Sequence, residues 1–131
     1  MKALVTGANG LIGSNVVRVL LKNGHTVRAF VRQSSNLESL KDLDVELAFG
    51  DILDADTLAP AMKGCDTLFH TAAVYAYWGH SADELMDTAR HGTLLVLDAA
   101  AKAGIPKVVF TSSSVVRGFS LNKKTISENQ N

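Results

Sequence analysis

The sequence predicts an α/β domain built on a doubly wound, all-parallel sheet of five strands in the order 3-2-1-4-5, with right-handed crossovers placing helices on both faces. Three observations carry this expectation. Apolar runs of strand length alternate with stretches of helical period from the second residue onward. A glycine-rich turn separates the first strand from the first helix, and the three longer helical stretches each close on a glycine before the next strand begins.

Lys2 to Thr6 reads as a buried strand. Leu11 to Lys22 follows as a helix, with Ile12, Val16, Val19 and Leu20 expected on its inner face and Asn23-Gly24 as its stop. Thr26 to Val31 is the second strand. Ser34, Ser35 and Asn36 are cap candidates for a short helix through Leu40, ahead of a third strand from Asp44 to Phe49. Asp54 is placed to cap a helix ending near Lys63, before Gly64, and Asp66 to Thr71 is the fourth strand. Ser81-Ala82-Asp83-Glu84 matches a capping box. The long helix it opens is expected to turn Leu85, Ala89, Val96, Ala100 and Ala103 inward until Gly104. Lys107 to Thr111 is the fifth strand, and a sheet that ends there leaves a flank through which copies can self-associate.

Composition narrows the setting. The 131 residues are 47% hydrophobic and 20% charged, which suits one globular domain. Thirteen basic and thirteen acidic side chains give a formal net charge of zero, so no overall field draws the surface to nucleic acid or to anionic lipid. The single cysteine, Cys65, excludes an internal disulfide and reads as a buried structural thiol, which fits a reducing cytoplasmic compartment. Thr6, Gly7, Asn9 and Gly10 break the N-terminal apolar run before it reaches signal-peptide length. No apolar run approaches the roughly 20 residues that span a bilayer, so no membrane partner is expected. His70, His80 and His91 fit no metal-ligand spacing, and no metal site is expected.

Gly7-Ala8-Asn9-Gly10-Leu11-Ile12-Gly13 sets three glycines at intervals of three where strand turns into helix. Gly7 permits the tight turn, Gly10 removes a side chain that would block a pyrophosphate, and Gly13 allows close packing of the helix. The helix start adds N–H groups and the positive end of a dipole, so Gly7, Asn9, Gly10, Leu11, Ile12 and Gly13 form a candidate dinucleotide-binding turn of Rossmann type.

The Gly-x-x-Gly-x-x-Gly spacing after Thr6 departs from the more familiar Gly-x-Gly-x-x-Gly and resembles the short-chain dehydrogenase/reductase family. Val27-Arg28-Ala29-Phe30-Val31-Arg32, Gly50-Asp51-Ile52, Asp66-Thr67-Leu68-Phe69-His70-Thr71-Ala72-Ala73 and Val108-Val109-Phe110-Thr111-Ser112-Ser113 look like successive signatures of its extended branch, the NAD-dependent epimerase/dehydratase proteins. Within that branch the chain is most similar to dihydroflavonol-reductase-like and sugar-epimerase-like proteins, from Met1 to about Glu128. The resemblance implies the NAD(P)-binding part of an oxidoreductase or epimerase acting on a carbonyl or nucleotide-sugar type of substrate. Residues 1–118 would form that domain, incomplete for lack of the later strands and substrate lobe, and residues 119–131 a polar loop or tail.

A carboxylate at the end of the second strand ordinarily receives the ribose hydroxyls and selects NAD. This chain has Val31 and then Arg32, whose guanidinium suits a 2′-phosphate, so NADP is the expected cofactor, with NAD as the alternative. Ser34 and Ser35 can assist Arg32, while Arg28, earlier on the strand, reads as an exposed arginine. The resemblance gives Asp51 and Ile52 to the adenine, although Asp51 equally suits a turn cap. It gives Ala72 and Ala73 to the ribose and counts Thr111 among the cofactor contacts. His70 reads as a core histidine in preference to a base.

The resembling enzymes use a serine after the fifth strand to hold the substrate oxygen, with a tyrosine and a lysine four residues later for proton transfer. Ser113 matches the serine, with Ser114 the competitor by a slip of one. The only tyrosines are Tyr75 and Tyr77, and neither has a lysine four residues on, so the chain is expected to be catalytically incomplete as it stands. Ala89 stands where the family often has asparagine, three residues before Gly92-Thr93. Tyr75, Tyr77 and Trp78 suit either a substrate pocket or the covering of the sheet end. A binding module that senses NADP(H) without catalysis is the other reading.

Overall fold

The computed structural model describes residues 1–73, 79 and 81–113. Five strands, β1 (Lys2–Thr6), β2 (Thr26–Val31), β3 (Glu46–Phe49), β4 (Thr67–His70) and β5 (Lys107–Phe110), form one sheet in the order β3-β2-β1-β4-β5. Every pairing is parallel. The helices are α1 (Leu11–Lys22), α2 (Ala55–Met62) and α3 (Ala82–Lys102), with a 3₁₀ turn at Glu38–Leu40. The expected order and topology are those observed.

Alternation along the strands divides the core into two layers. Ala3, Val5, Val27, Ala29 and Val31 pack with Val17 and Leu20 of α1 and with Leu40 on one face. Leu4, Phe30 and Leu68 pack with Leu58 and Met62 of α2 and with Val96 and Ala100 of α3 on the other. Cys65 lies buried in this second layer, and burial pushes its thiol pKa up.

Asp54 caps α2 by accepting from Asp56 N–H at 3.1 Å. Ser81 and Glu84 form the reciprocal capping box of α3. The cap before Leu40 comes from Asn36, whose Oδ1 accepts from Glu38 N–H at 2.8 Å, and no hydrogen bond of Ser34 or Ser35 caps the turn. The result is a single 3₁₀ turn instead of a helix.

The inner face of α1 is Gly13, Ser14, Val17 and Leu20, whereas Ile12 and Val19 are exposed. Close packing at Gly13 phases the helix and turns the expected Ile12/Val19 stripe outward. In α3, Gly92, Val96 and Ala100 are buried as the period requires, but Ala89 toward its start and Ala103 at its end are exposed. β3 begins two residues late because Leu43 and Val45 pack sideways onto the α1 layer.

Arg28 is not a surface residue. Its side chain is 11% exposed, donates from Nη1 to Ala61 O at 2.6 Å and Lys63 O at 2.8 Å, and pairs with Glu46 at 2.8 Å. The last carbonyls of a helix lack intrahelical donors, and this guanidinium supplies them for α2. Hydrogen bonds from Lys2 and then Arg28 hold the Glu46 carboxyl below the usual carboxylate range.

Candidate functional site

β1 has β2 on one side and β4 on the other, so successive strands run outward in both directions from β1. A crevice at the carboxyl ends of the strands is expected at such a switch point. The registers Thr6↔Phe30, Thr6↔His70, Val31↔Phe49 and His70↔Phe110 align the strand ends. The segments that follow them, 7–13, 32–36, 50–52, 71–73 and 111–113, therefore emerge along one edge of the sheet.

Gly7 has φ +67, and a Cβ there would meet Ala72 N and Cα at 2.8 Å. The turn needs glycine for its conformation and for the approach of the β4 end. A Cβ on Gly13 would lie 2.1 Å from Gly7 O and 2.8 Å from Thr71 Oγ1, so α1 starts in contact with the turn itself. At Gly10 the only neighbour within 4 Å among the described residues is Gly7 O, at 3.3 Å. This glycine opens space instead of filling it.

Gly10 is also the N-cap of α1, and it brings no side-chain cap; no acidic residue stands in the first turn. The N–H groups and the positive dipole end there have no side-chain cap among the described residues, which leaves the donor set an anion requires. Leu11 and Ile12, 84% and 54% exposed, flank it.

Beyond β2, Arg32 is exposed and begins a turn closed by Ser35 N–H to Arg32 O at 2.9 Å. Its guanidinium has no ion pair among the described residues, and the nearest following carboxylate in sequence, Glu38, pairs with Lys41 at 3.6 Å. Beyond β3, Asp51 Oδ1 accepts from Leu53 N–H at 2.9 Å, which is the turn-cap role. Ile52 is half-buried against the α2/α3 layer. Beyond β4, Ala72 is half-buried beside Gly7 and Ala73 is exposed. Beyond β5, Thr111 N–H extends the ladder to His70 O at 3.0 Å, and Thr111 and Ser113 are exposed.

Thr6, named in the sequence only as the residue before the glycine spacing, is a site-building residue. Its hydroxyl lies 2.7 Å from His70 Nδ1 and accepts from Ala72 N–H at 3.4 Å, while its carbonyl accepts from Thr71 Oγ1 at 2.7 Å. The Thr6 hydroxyl and Nδ1 share one hydrogen bond, which ties the imidazole to the end of β1. His70 is 1% exposed, its Nε2 has no partner among the described residues, and burial holds its pKa below the usual imidazole value. It is a core histidine that fixes the loop beside the glycine turn.

The chain matches the family described as NAD dependent epimerase/dehydratase over residues 3–130. It belongs to that family. Among curated epimerase/dehydratase relatives, the chain is 42% identical over 113 residues to sterol demethylase protein B of Methylococcus capsulatus, spanning 86% of this chain and 34% of that one. It is 43% identical over 114 residues to a putative dihydroflavonol 4-reductase of Synechocystis, spanning 87% and 33%. The chain thus spans about a third of the length of the curated relatives it matches. Among solved structures, gox2253 superposes with a TM-score of 0.86 at 42% identity, over 93% of this chain and 37% of that one. The Thermus thermophilus UDP-glucose 4-epimerase, solved in complex with NAD, gives 0.84 at 26% identity, over 98% and 43%.

Of the remaining expected residues of this epimerase/dehydratase chain, Tyr75, Tyr77, Trp78, His80 and Ser114 lie outside the described residues, as does the 119–131 segment. Among the described residues, no helix is long and apolar enough to cross a membrane.

Proposed function

We propose that this domain holds the nicotinamide dinucleotide of an extended short-chain oxidoreductase or epimerase, with NADP(H) preferred over NAD(H). The observation that carries the reading is the uncapped start of α1 behind a glycine turn at the sheet's switch point. In this reading the pyrophosphate takes the N–H groups of Leu11, Ile12 and Gly13, next to Gly7, Asn9 and Gly10. Arg32 takes the 2′-phosphate, with no carboxylate at the end of β2 to oppose it. Asp51 has one carboxylate oxygen committed to Leu53 N–H and the other to offer to the adenine amine, with Ile52 beneath it. Ala72, Ala73 and Thr111 line the ribose path.

The bound nicotinamide supplies or accepts hydride. Ser113, past β5, holds the substrate oxygen, on which negative charge grows as hydride arrives at the carbonyl carbon. The substrate class is a carbonyl, alcohol or nucleotide sugar. Its support is the chain's 43% identity to the putative dihydroflavonol reductase and the 27% identity to the Bifidobacterium longum UDP-glucose 4-epimerase, solved with NAD+ and UDP.

Titration with NADPH and NADH tests the reading. One charge-assisted contact is worth about 1.5–3 kcal/mol, so Arg32→Ala should weaken NADPH roughly 10- to 100-fold and leave NADH nearly unchanged. Equal losses would remove the 2′-phosphate assignment.

A second reading is a module that senses the dinucleotide without catalysis. Incubation with NADPH and a panel of aldehydes, ketones and nucleotide sugars tests the second reading. General acid–base groups contribute about 10²–10⁴-fold, so these residues alone should give no family-like turnover. Saturating turnover that disappears in Ser113→Ala would refute both that expectation and the sensing module.

A further inference from the structure

The segment from Arg32 to Leu40 is fastened to the glycine turn by a polar strut. Ser39 Oγ donates to Asn9 O at 2.7 Å, and Arg18 Nη2 donates to Ser39 O at 2.7 Å. Arg18 is itself held by donation from Nη1 to Ser14 O at 3.1 Å, one turn back on α1. Asn9 Nδ2 returns a bond to Asn36 O at 3.3 Å. Leu40, buried in the α1 layer, with Leu37 packed against it, pins the far end of the segment.

These bonds join three places that the sequence separates: the pyrophosphate turn, the middle of α1 and the residues after β2. Arg32 sits at one end of the fastened segment, with the turn Arg32 to Ser35 between it and Asn36. Short turns of this kind sample several conformations unless an anchor fixes them, and a ligand that needs one of them must then supply the ordering. Arg18 and Ser39 provide that anchor. Neither belongs to the proposed ligand contacts: Arg18 lies on α1 well beyond its first turn, and Ser39 donates its hydroxyl to Asn9 O and accepts from Arg18 at its carbonyl.

We propose that Arg18 and Ser39 are positioning residues that set cofactor discrimination, by holding the Arg32–Asn36 segment where a 2′-phosphate meets it. This rests on the dinucleotide reading above. The ground it adds is the difference between cofactors: NADPH and NADH share the pyrophosphate turn, and only the 2′-phosphate depends on the placement of Arg32.

The test measures Kd for NADPH and NADH in the wild type, Arg18→Met, Ser39→Ala, Arg32→Ala and Arg18→Met/Arg32→Ala. Backbone amide exchange of residues 33–39 is followed in the unliganded proteins. Removing the anchor should weaken NADPH about five- to tenfold in Arg18→Met and in Ser39→Ala, with NADH changed less than about twofold. Amide exchange at 33–39 should speed up while exchange in β1 and β4 stays as in the wild type. In the Arg32→Ala background, Arg18→Met should have no further effect on NADPH, since nothing is left to position. Ser39→Thr, which keeps the hydroxyl, should behave as wild type. Ser39→Ala removes a single atom and serves if Arg18→Met fails to fold. An unchanged NADPH-to-NADH ratio in both Arg18→Met and Ser39→Ala, equal losses for both cofactors, or additive effects with Arg32→Ala would overturn the positioning role while leaving dinucleotide binding intact. A wild type that binds neither cofactor would overturn the dinucleotide reading and this inference with it.

Discussion

A Cβ on Gly13 would stand 2.1 Å from the carbonyl oxygen of Gly7 and 2.8 Å from its carbonyl carbon. Both atoms are backbone of the turn, so no side chain can swing aside to make room. Gly13→Ala gains about 1 kcal/mol of helix propensity, but displacing backbone against a packed neighbour typically costs about 1–3 kcal/mol or more. The clash should win. Urea denaturation is expected to show a lower midpoint for Gly13→Ala, together with weaker NADPH binding; a midpoint at or above wild type would mean that α1 lifts off the turn at no cost.

His70 makes stability depend on pH. Its folded pKa is lowered by burial from an ordinary value of 6.5, so below that value the unfolded chain takes up a proton that the folded chain refuses. Stability is therefore full above about pH 6.5 and falls as pH drops through it, by at most about 1.4 kcal/mol per pH unit. Denaturation midpoints between pH 5 and pH 8 should show this slope in the wild type and lose most of it in His70→Asn. A slope that persists in the variant would assign the dependence to other groups.

Arg28 should be among the costliest polar residues to remove. Arg28→Met keeps much of the aliphatic stem but strips donors from Ala61 O and Lys63 O and leaves Glu46 with Lys2 alone. Losses of this kind run to about 1–3 kcal/mol, and Arg28→Lys should recover only part of them, because an ammonium does not reproduce the guanidinium fork. Equilibrium unfolding checks both variants; a loss for Arg28→Met no larger than for a surface arginine would contradict the capping role.

The topology was legible because it depends on period and punctuation. Strand-length apolar runs, glycine stops at Gly24, Gly64 and Gly104, and the Ser81/Glu84 capping box are local signals, and the structure keeps them all. The glycine turn was legible for the same reason. Less legible was anything set by contact between distant segments. Ile12 and Val19 suit an inner stripe by period alone, yet the contact of Gly13 with the turn rotates the helix so that Val17 is buried in their place. Arg28 reads as a surface charge until α2 is seen to end above it. Arg18 and Ser39 carry no motif, and Thr6 is marked only by its place before the glycine turn; the contacts of all three exist only once the chain has folded.

Gly10→Asp tests the central claim most directly, because it separates the fold from the ligand site. Gly10 is an N-cap with extended backbone, φ −75 and ψ 171, a position at which aspartate is among the preferred residues. The added Cβ meets Gly7 O at 3.3 Å, a contact that a shift of a few tenths of an ångström relieves, so the cap gain and this contact should nearly offset and the fold be kept, while a carboxylate is set in the space where the pyrophosphate is proposed to lie. Calorimetric titration with NADPH is expected to show binding to the wild type and a loss of about 100-fold or more in Gly10→Asp, with an unfolding transition that stays cooperative and a midpoint close to wild type. Wild-type affinity retained in Gly10→Asp, or no binding of either dinucleotide to the wild-type protein, would contradict it.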